Sequence, residues 1–529
     1  MKRSQFGVAV VVSGALSAAA ISTLYAGARV FDGAFAPFGV VDWLARAAPG
    51  TVLTALIDGL VSTLQRLSVA NLSAAAKTSE ETAGVGVVFV LLTLAGAGLY
   101  LWSPRRKTLA IFVGGAVGVV AGTLLASVTM AAGVAGGPTA AVWTSLVLAT
   151  WGALIGWTRV RLPSSSTDGI DLVRISRRHF LLALASVAAA VTVVGTSVGF
   201  AIGGRRRTKD QARAVQAWSS THDLPNADAV VQPASGTRPE LTPVDSHYRI
   251  DINTTAPRID GSNWRLRFRG LVARPLELSL DELRRRDAVH QFVTLACISN
   301  PVAGSLIGTT RWSGVPLSRL LDEVEPLPPA SHLRIRSADG FDEVVAIDLV
   351  RADPRVMLTY DWDGLSLAPE HGYPLRIYIP DRYGMKQPKW IQEIEAIEGW
   401  QPGYWVRRGW DREARMKATS VIDTMAADMM NVSGQPHTVV PIGGIAHAGA
   451  RGISRVELSI DDAAWTPVEL RDPLSPTTWV IWRYNWPFRA GTHRFTVRCF
   501  DGDGRPQIAM VAPPHPDGAT GLHTRTITL

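Results

Sequence analysis

Apolar stretches dominate the N-terminal part of the chain, and each is long enough to cross about 30 Å of hydrocarbon as a helix. They lie at residues 6–28, 84–102, 108–132, 138–157 and 179–202. The pattern predicts an all-α membrane region of about five transmembrane helices over residues 1–204. The stretch 51–69 is also apolar, but it contains Asp58 and Arg66, which favours an amphipathic helix at the membrane surface.

Basic residues between these stretches predict how they are oriented. If the chain crosses the membrane five times, the main basic segments all fall on one side of it. These are Lys2 and Arg3, the run 105–107 and the segment 159–178. Positively charged loops favour the cytoplasmic face. We therefore expect the N-terminus in the cytoplasm and everything after residue 203 on the extracytoplasmic face.

A short motif directly before the fifth stretch bears on export. Ser176, Arg177 and Arg178 are followed by Phe180 and Leu181, which is similar to a twin-arginine signal and its apolar stretch. That pathway exports folded proteins. The alternative interpretation is an ordinary basic anchor ahead of a membrane span.

Beyond the fifth stretch the pattern changes to shorter elements. Residues 205–245 are rich in Pro, Ala, Asp and Ser without a sustained period, which predicts a linker. Residues 246–432 mix short strands with few helices, which predicts an α+β domain. Strands are predicted at 264–270, 289–296, 332–337, 343–347 and 374–379, and helices at 279–286 and 316–323. Residues 433–529 alternate apolar and polar positions between Gly/Pro/Asp turns, which predicts an all-β immunoglobulin-like sandwich.

Composition supports a membrane protein and excludes several cofactors. Hydrophobic residues make up 47% of the 529 residues and charged residues only 19%, which excludes a disordered chain. Two cysteines cannot form a four-cysteine zinc site or a cysteine-ligated iron–sulfur cluster. No haem is expected either, since the spans hold no histidine before His179 and no Cys-x-x-Cys-His motif occurs.

The net charge of +8 does not indicate nucleic acid as a partner. The positive charge comes from 46 arginines and only 7 lysines, a bias that is more typical of genome composition than of a phosphate-binding surface. The arginine runs 205–207 and 284–286 lack interleaved aromatic residues, which single-stranded nucleic acid would need for stacking.

The two cysteines differ in their surroundings. Cys499 lies in phase with the apolar positions of a predicted strand, which predicts a small buried hydrophobe. Cys297 ends the apolar run 292–296 and begins a loop, and such junctions hold functional side chains on rigid scaffolds. A buried structural thiol and a single thiolate ligand to a metal held mainly by other donors both remain open for Cys297.

A second candidate site lies in a Gly/Pro-rich loop. It contains His371, Arg376, Lys386 and Lys389, a set of residues that can bind an anion through a guanidinium fork and point charges. The alternative is a solvated loop with a histidine in a turn.

Four segments together resemble the sulfite oxidase superfamily of molybdopterin oxidoreductases. They are 294–301, with the sequence TLACISNP, 311–317, with RWSGVPL, the loop segment 371–390 and the terminal segment 479–501. The resemblance covers roughly residues 246–505 in the family order. It implies a molybdopterin domain followed by an immunoglobulin-like domain through which the chain forms a homodimer.

The resemblance also implies roles for single residues. Cys297 matches the cysteine that ligates molybdenum, and Arg249 resembles an arginine that reaches the same site. The residues implied to hold the pterin and its phosphate are His371, Arg376, Lys389, Lys386 and Asp339.

Two departures from the family pattern concern the substrate. True sulfite oxidases carry a basic pair after the cysteine, whereas this chain has the uncharged run from Ile298 to Val302. The position of the family's substrate-side tyrosine is occupied by Trp410. We therefore count Trp410 with Cys297 and Arg249 as catalytic candidates and expect that the natural substrate is not sulfite.

The sequence thus predicts a membrane-anchored, extracytoplasmic molybdopterin oxidoreductase that performs two-electron oxygen-atom transfer on a small-molecule substrate. Its expected partners are membrane lipid and a separate electron-transfer partner, because the chain has no fused haem domain. One alternative is a catalytically silent binding or scaffold protein on the same fold, but retention of Cys297 argues against it. A membrane receptor that uses only the sandwich would leave residues 246–430 unexplained.

Overall fold

The computed structural model describes most of the chain and divides it into two units. The described residues are 3–31, 33–50, 72–131, 137–162, 170–212, 217–425, 430–431 and 438–529, with a few single positions between 52 and 63. The membrane unit comprises Met1–Ala48, Ala75–Ala214 and Asp251–Pro257, and the outer unit comprises Pro49–Ala74, Val215–Ile250 and Arg258–Leu529.

Six helices form the described part of the membrane unit. They are α1 (Arg3–Val30), α2 (Ala36–Ala47), α3 (Leu72–Trp102), α4 (Lys107–Ala131), α5 (Gly137–Arg161) and α6 (Ile170–Ala212). All except α2 contain a segment long and apolar enough to cross a membrane, and each of these segments corresponds to one of the five predicted stretches. The amphipathic helix predicted at 51–69 lies outside the described residues.

Helices α4 and α5 pack closely because glycines line their contact. A Cβ added at Gly114 would lie 2.1 Å from the carbonyl oxygen of Gly152, and one at Gly156 would lie 2.1 Å from that of Ala110. Small residues at such positions let helix backbones approach each other in lipid.

One segment from the polar part of the sequence, Asp251–Pro257, belongs to the membrane unit. The buried Asp42 carboxylate on α2 accepts hydrogen bonds from the Thr254 backbone nitrogen at 2.7 Å and from its hydroxyl at 2.6 Å. The Lys77 ammonium donates to the carbonyl oxygens of Asp251 at 3.2 Å and Asn253 at 2.9 Å. These bonds tie the segment to α2 and α3.

We expect Asp42→Ala to loosen this segment, because two buried donors on Thr254 would lose their acceptor at a cost of about 1–3 kcal/mol. Limited proteolysis of the purified chain in detergent should then cut within 251–257 roughly fivefold faster or more. Asp260→Ala is a suitable control because this exposed carboxylate binds only its own turn, through Ser262 and Asn263. Equal cleavage rates in Asp42→Ala and the unaltered chain would contradict the anchoring role.

The first half of the outer unit contains two sheets and three short helices. The strands are β1 (Arg265–Gly270), β2 (Leu276–Ser279), β3 (Val289–Ala296), β4 (Ile307–Pro316), β5 (His332–Ser337), β6 (Asp342–Ala346), β7 (Met357–Trp362), β8 (Leu365–Ser366), β9 (Arg376–Tyr378) and β10 (Ile391–Ile397), and the helices are α7 (Leu280–Arg284), α8 (Leu317–Val324) and α9 (Ile347–Ala352). One sheet has the order β2-β1-β10-β5-β6, with β1 and β10 parallel, and the other has the order β3-β4-β7-β8, with β9 beside β7. This mixture of strands and short helices agrees with the predicted α+β domain.

Local signals explain several of these elements. Ser279 caps α7, because its hydroxyl accepts from the Glu282 backbone nitrogen while the Glu282 carboxylate accepts from the Ser279 backbone nitrogen. Helix α8 buries Leu317, Leu320 and Leu321 on one face, which is the pattern of an amphipathic helix.

The second half of the outer unit consists of two antiparallel sheets. The strands are β11 (Thr419–Met425), β12 (Met430–Asn431), β13 (Thr438–His447), β14 (Ile453–Ile460), β15 (Thr466–Pro467), β16 (Glu469–Leu470), β17 (Val480–Pro487), β18 (Thr492–Asp501) and β19 (His523–Thr528). One sheet has the order β11-β13-β17-β16, and the other β15-β14-β18-β19. Both contribute to one apolar core, which contains Ile422, Trp482, Val456, Phe495 and Cys499. The buried position predicted for Cys499 is confirmed, whereas the immunoglobulin-like assignment stays a prediction.

Two boundaries in this part differ from the sequence analysis. Strand β11 starts before residue 433, the predicted domain boundary, and already belongs to the second half. Asn226, Val231 and Arg238 lie in the predicted linker. Arg471, far along the chain, donates to the carbonyl oxygens of Asn226 and Val231, both at 2.9 Å. Arg238 pairs with Asp423 at 2.7 Å. Residues 217–245 therefore pack on the outer unit, held by side chains too distant in sequence for local composition to reveal.

Candidate functional site

Cys297 is the first residue after β3, and a hydrogen-bonded loop fixes its position. Strand β3 pairs with β4 from Val289 opposite Gly314 to Ala296 opposite Ile307. The Cys297 backbone nitrogen then donates to the Leu306 carbonyl at 2.9 Å. The Asn300 side chain accepts from the Leu306 backbone nitrogen at 2.9 Å and closes the loop.

The Cys297 side chain is only 7% exposed, and its sulfur lies 3.0 Å from the Ser299 hydroxyl. Burial raises the pKa of this thiol, while hydrogen bonds from Ser299 and the Ile298 backbone and the charge of Lys389 act in the opposite direction. Because the thiolate is the metal-binding form, a bound cation would be needed to favour it here. Ser299 was not among the site residues predicted from the sequence.

A buried arginine forms the most unusual part of the candidate site. The Arg376 side chain on β9 has its guanidinium carbon 4.7 Å from the centre of the Trp312 ring and 4.8 Å from that of the Trp362 ring. One terminal nitrogen donates to the His371 carbonyl at 3.0 Å. In the described part of the chain Nε has no hydrogen-bond partner and no carboxylate pairs with the guanidinium. Burial lowers the pKa of Arg376 to about 10, so it remains a cation at neutral pH.

Two buried histidines accompany this arginine. The His371 ring centre is 4.8 Å from that of Trp362 and 5.8 Å from that of His247. Burial lowers the pKa of His247 to about 4. Burial also lowers the pKa of His371 well below its usual value, and the nearby charges of Lys389, Arg376 and Arg249 lower it further. Both imidazoles are therefore neutral at pH 7, and Arg249 lies within electrostatic range of His371.

Gly372 brings the loop and β9 into close contact. Its φ of 110° lies in the left-handed region that favours glycine, and an added Cβ would lie 3.0 Å from Lys389 Cβ and 3.3 Å from Arg376 Cβ. The Lys389 ammonium donates to the Glu370 carbonyl at 3.1 Å and lies 4.4 Å from the centre of the Trp390 ring. His371, Arg376 and Lys389 are thus gathered in one place.

Trp410 is buried in an apolar cluster that also contains Ala296 and Ile298, the two neighbours of Cys297. The Trp410 ring centre lies 5.0 Å from that of His515. The residues beside Cys297 therefore belong to an apolar cluster, with no charge supplied by the loop itself.

Two tyrosines that the sequence analysis did not assign also lie near Cys297. The Tyr383 hydroxyl accepts from the Lys417 backbone nitrogen at 3.1 Å, and burial raises the pKa of Tyr383 to about 12. Tyr248 packs against Cys297 and Leu306, and burial raises its pKa well above the usual value. Cys297 interacts electrostatically with both phenols. Only one feature of the sequence pointed to either tyrosine: Tyr248 directly precedes the candidate residue Arg249.

The other two candidates make different contacts. The Lys386 ammonium lies 2.6 Å from the Glu343 carboxylate, and both side chains are buried. The Asp339 carboxylate accepts from the Phe341 backbone nitrogen at 3.0 Å. Roles for Lys386 and Asp339 in cofactor binding therefore stay predictions.

The residues around Cys297 fit a molybdopterin cofactor. Arg376 is a buried cation without an anionic partner among the described residues, and burying an unpaired charge is costly unless a counter-ion is present. Within the described ranges no group of three His, Cys, Asp or Glu residues could hold a metal ion. A metal at Cys297 would thus need most of its ligands from a cofactor, and an anionic cofactor would neutralise Arg376.

Comparisons with known proteins agree with this description. Residues 253–405 match the family described as oxidoreductase molybdopterin binding domain. An Azospira oryzae protein, provisionally named subunit YedZ1 of a protein-methionine-sulfoxide reductase, is 32% identical over 199 residues, which cover 37% of this chain and 70% of the relative.

Two further relatives carry related names. Sulfite oxidase from Gallus gallus is 26% identical over 319 residues, 52% of this chain and 69% of that protein. The catalytic subunit MsrP of a protein-methionine-sulfoxide reductase from Gluconobacter oxydans is 27% identical over 230 residues, 38% of this chain and 72% of that protein. The chain belongs to the sulfite oxidase superfamily of molybdopterin-dependent oxidoreductases.

Proposed function

We propose that this chain is a membrane-anchored, extracytoplasmic molybdenum enzyme that reduces sulfoxides by oxygen-atom transfer. One observation carries the proposal: the buried thiol of Cys297 lies within electrostatic range of Lys389, which meets Arg376 at Gly372, and Arg376 pairs with no carboxylate in the described chain. Such a pocket suits an anionic group that also offers a metal to the thiolate.

Separate residues would hold the two ends of the cofactor. Cys297 would be the protein's ligand to molybdenum, while Arg376, Lys389 and the neutral His371 would bind the phosphate and the pterin. When bound, molybdopterin supplies the two-electron redox chemistry and the exchange of one oxygen atom. Ser299 would donate a hydrogen bond to the Cys297 sulfur, and Trp312 and Trp362 would keep water from Arg376.

The apolar cluster beside Cys297 favours a neutral substrate. Ile298, Ile307 and Trp410 are all buried there, and a compact dianion such as sulfite would leave its charge poorly paired against them. A sulfoxide is a neutral group with one strong acceptor oxygen. Two of the relatives carry names of methionine sulfoxide reductases, which supports the same substrate class.

The reaction balances with an external reductant. A sulfoxide, two electrons and two protons give a thioether and one water, so the sulfur is reduced and its oxygen leaves as water. The electrons must come from a separate electron-transfer partner, and the proposed anchoring would keep the outer unit at the membrane surface beside such a donor.

Steady-state kinetics of the molybdenum-loaded chain test this proposal. Methionine sulfoxide with a reduced dye should give saturable turnover, whereas sulfite with an artificial acceptor should give little or none. Efficient sulfite oxidation, with kcat/KM on the order of 10⁵ M⁻¹s⁻¹ or above, together with no sulfoxide turnover, would overturn it.

The proposed orientation gives a separate expected result. A reporter active only outside the cytoplasm should work when fused after residue 529, and one active only in the cytoplasm should work after residue 165. Replacing Arg177 and Arg178 by lysine should leave the earlier spans inserted and keep the outer unit in the cytoplasm, as measured by protease protection. Normal export of that variant would rule out the twin-arginine signal.

A further inference from the structure

We propose that the Tyr248 hydroxyl is the hydrogen-bond donor that holds the sulfoxide oxygen beside Cys297. This inference rests on the proposed function and adds a substrate-binding residue to it. It starts from the position of the phenol, which neither the sequence pattern nor the comparisons assign to the site.

Several contacts place Tyr248 at Cys297. Its ring packs against the pair formed by Cys297 and Leu306. Its hydroxyl lies next to the loop at Gly384, because a Cβ added there would be 3.1 Å from the hydroxyl and 3.5 Å from the carbonyl oxygen of Ala296, the residue before Cys297. The ring of the neighbouring His247 stacks on it, with ring centres 5.2 Å apart and an interplanar angle of 27°.

Among the phenols near the site, Tyr248 differs in its hydrogen bonding. The Tyr383 hydroxyl already accepts from the Lys417 backbone nitrogen at 3.1 Å, and that of Tyr378 interacts with Thr477. In the part of the chain that the structure describes, no hydrogen bond involves the Tyr248 hydroxyl. The Tyr383 and Tyr378 hydroxyls are thus oriented by protein partners, whereas the hydroxyl of the half-buried Tyr248 can turn its O–H toward a ligand.

The apolar side chains next to Cys297 suit a neutral acceptor. The cluster of Ile298, Ile307 and Trp410 is apolar, and the cation Arg376 packs against two indole rings. A phenol O–H donates one bond without adding charge, and a sulfoxide oxygen is a strong acceptor of such a bond.

The test compares Tyr248→Phe with Tyr484→Phe, a half-buried tyrosine that packs on the core of the C-terminal sheets, as its matched control. Binding of methionine sulfoxide to the full molybdenum-loaded chain is measured by calorimetry without reductant, so that no turnover occurs. For Tyr248→Phe we expect unchanged molybdenum content and a Kd about tenfold higher, as for the loss of one buried hydrogen bond. Tyr484→Phe should bind the sulfoxide as tightly as the unaltered chain, because this hydroxyl lies away from the Cys297 region.

Gly384→Ala provides a second test that keeps the phenol. Its methyl group would press on the Tyr248 hydroxyl at 3.1 Å, so sulfoxide binding should weaken while the molybdenum content stays the same. An unchanged Kd in Tyr248→Phe, or loss of molybdenum from that variant, would overturn the inference. If the unaltered chain neither binds nor reduces a sulfoxide, the proposed function itself fails. If the unaltered chain binds and reduces it and Tyr248→Phe has the same Kd, only the role of Tyr248 is wrong.

Discussion

Cys297→Ser is expected to lower kcat/KM for sulfoxide reduction by more than about 100-fold, while the outer unit stays folded. A serine hydroxyl is a much poorer donor than a thiolate to a metal held mainly by a soft-donor cofactor. The side chain is nearly isosteric, and the backbone bonds from Cys297 to Leu306 and from Asn300 to Cys297 do not involve the sulfur. Circular dichroism and kinetics of the purified variant measure the two effects separately.

Cys499→Ser is the matched control for this variant. Cys499 is fully buried in the core of the C-terminal sheets, with its sulfur 3.4 Å from the Gln507 side-chain oxygen. A hydroxyl can donate to the same oxygen, so the substitution should cost about 1 kcal/mol of stability or less and leave turnover intact. Full activity of Cys297→Ser with molybdenum still bound would show that Cys297 is not the ligand.

Arg376→Met is expected to lower the molybdenum content of the chain by about 10- to 100-fold, the range seen when a residue supporting a metal site is removed. The metal-free chain should respond in the opposite direction. Removing a buried cation that has no carboxylate partner relieves a desolvation cost, and methionine keeps most of the packing against Trp312 and Trp362. Its unfolding temperature should therefore stay the same or rise.

Arg311→Met controls for the loss of an arginine that packs on an indole. The Arg311 guanidinium carbon lies 4.6 Å from the centre of the Trp218 ring, only partly buried and within range of the Asp363 charge. This variant should retain its molybdenum. An Arg376→Met chain that loads molybdenum normally, or whose metal-free form unfolds well below the unaltered chain, would contradict the assignment of Arg376 to the cofactor pocket.

Elements with a simple hydrophobic period could be predicted from the sequence. The five membrane helices follow from long apolar stretches, and β3 and β5 have the predicted bounds. Strands β4 and β10 were not predicted. Strand β4 is buried along nearly its whole length, so it shows no alternation, and in β10 the apolar residues Ile391, Ile394 and Ile397 have a spacing of three that resembles a helix. Pairing with neighbouring strands, and not the local sequence pattern, makes these two segments strands.

The residues of the candidate site, too, could be predicted only in part from the sequence. The loop that carries His371, Arg376 and Lys389 stood out as a cluster of cationic residues, and the structure gathers them around Gly372. Lys386 belongs to the same loop, but a short turn, Gly384–Lys386, carries it to Glu343, far away in sequence. The contacts of Tyr248 and Tyr383 with the Cys297 region likewise join distant segments, so no local pattern could reveal them.

The central claim, that Cys297 and the pocket of Arg376 hold a molybdenum cofactor, is tested most directly by metal analysis of the purified full chain. The protein should be produced in cells that make molybdopterin, and metal content should be measured alongside Arg376→Met as the negative reference. We expect about one molybdenum atom for each chain, held through the single thiolate of Cys297. A folded, correctly inserted chain that contains no molybdenum above the level of Arg376→Met would contradict it.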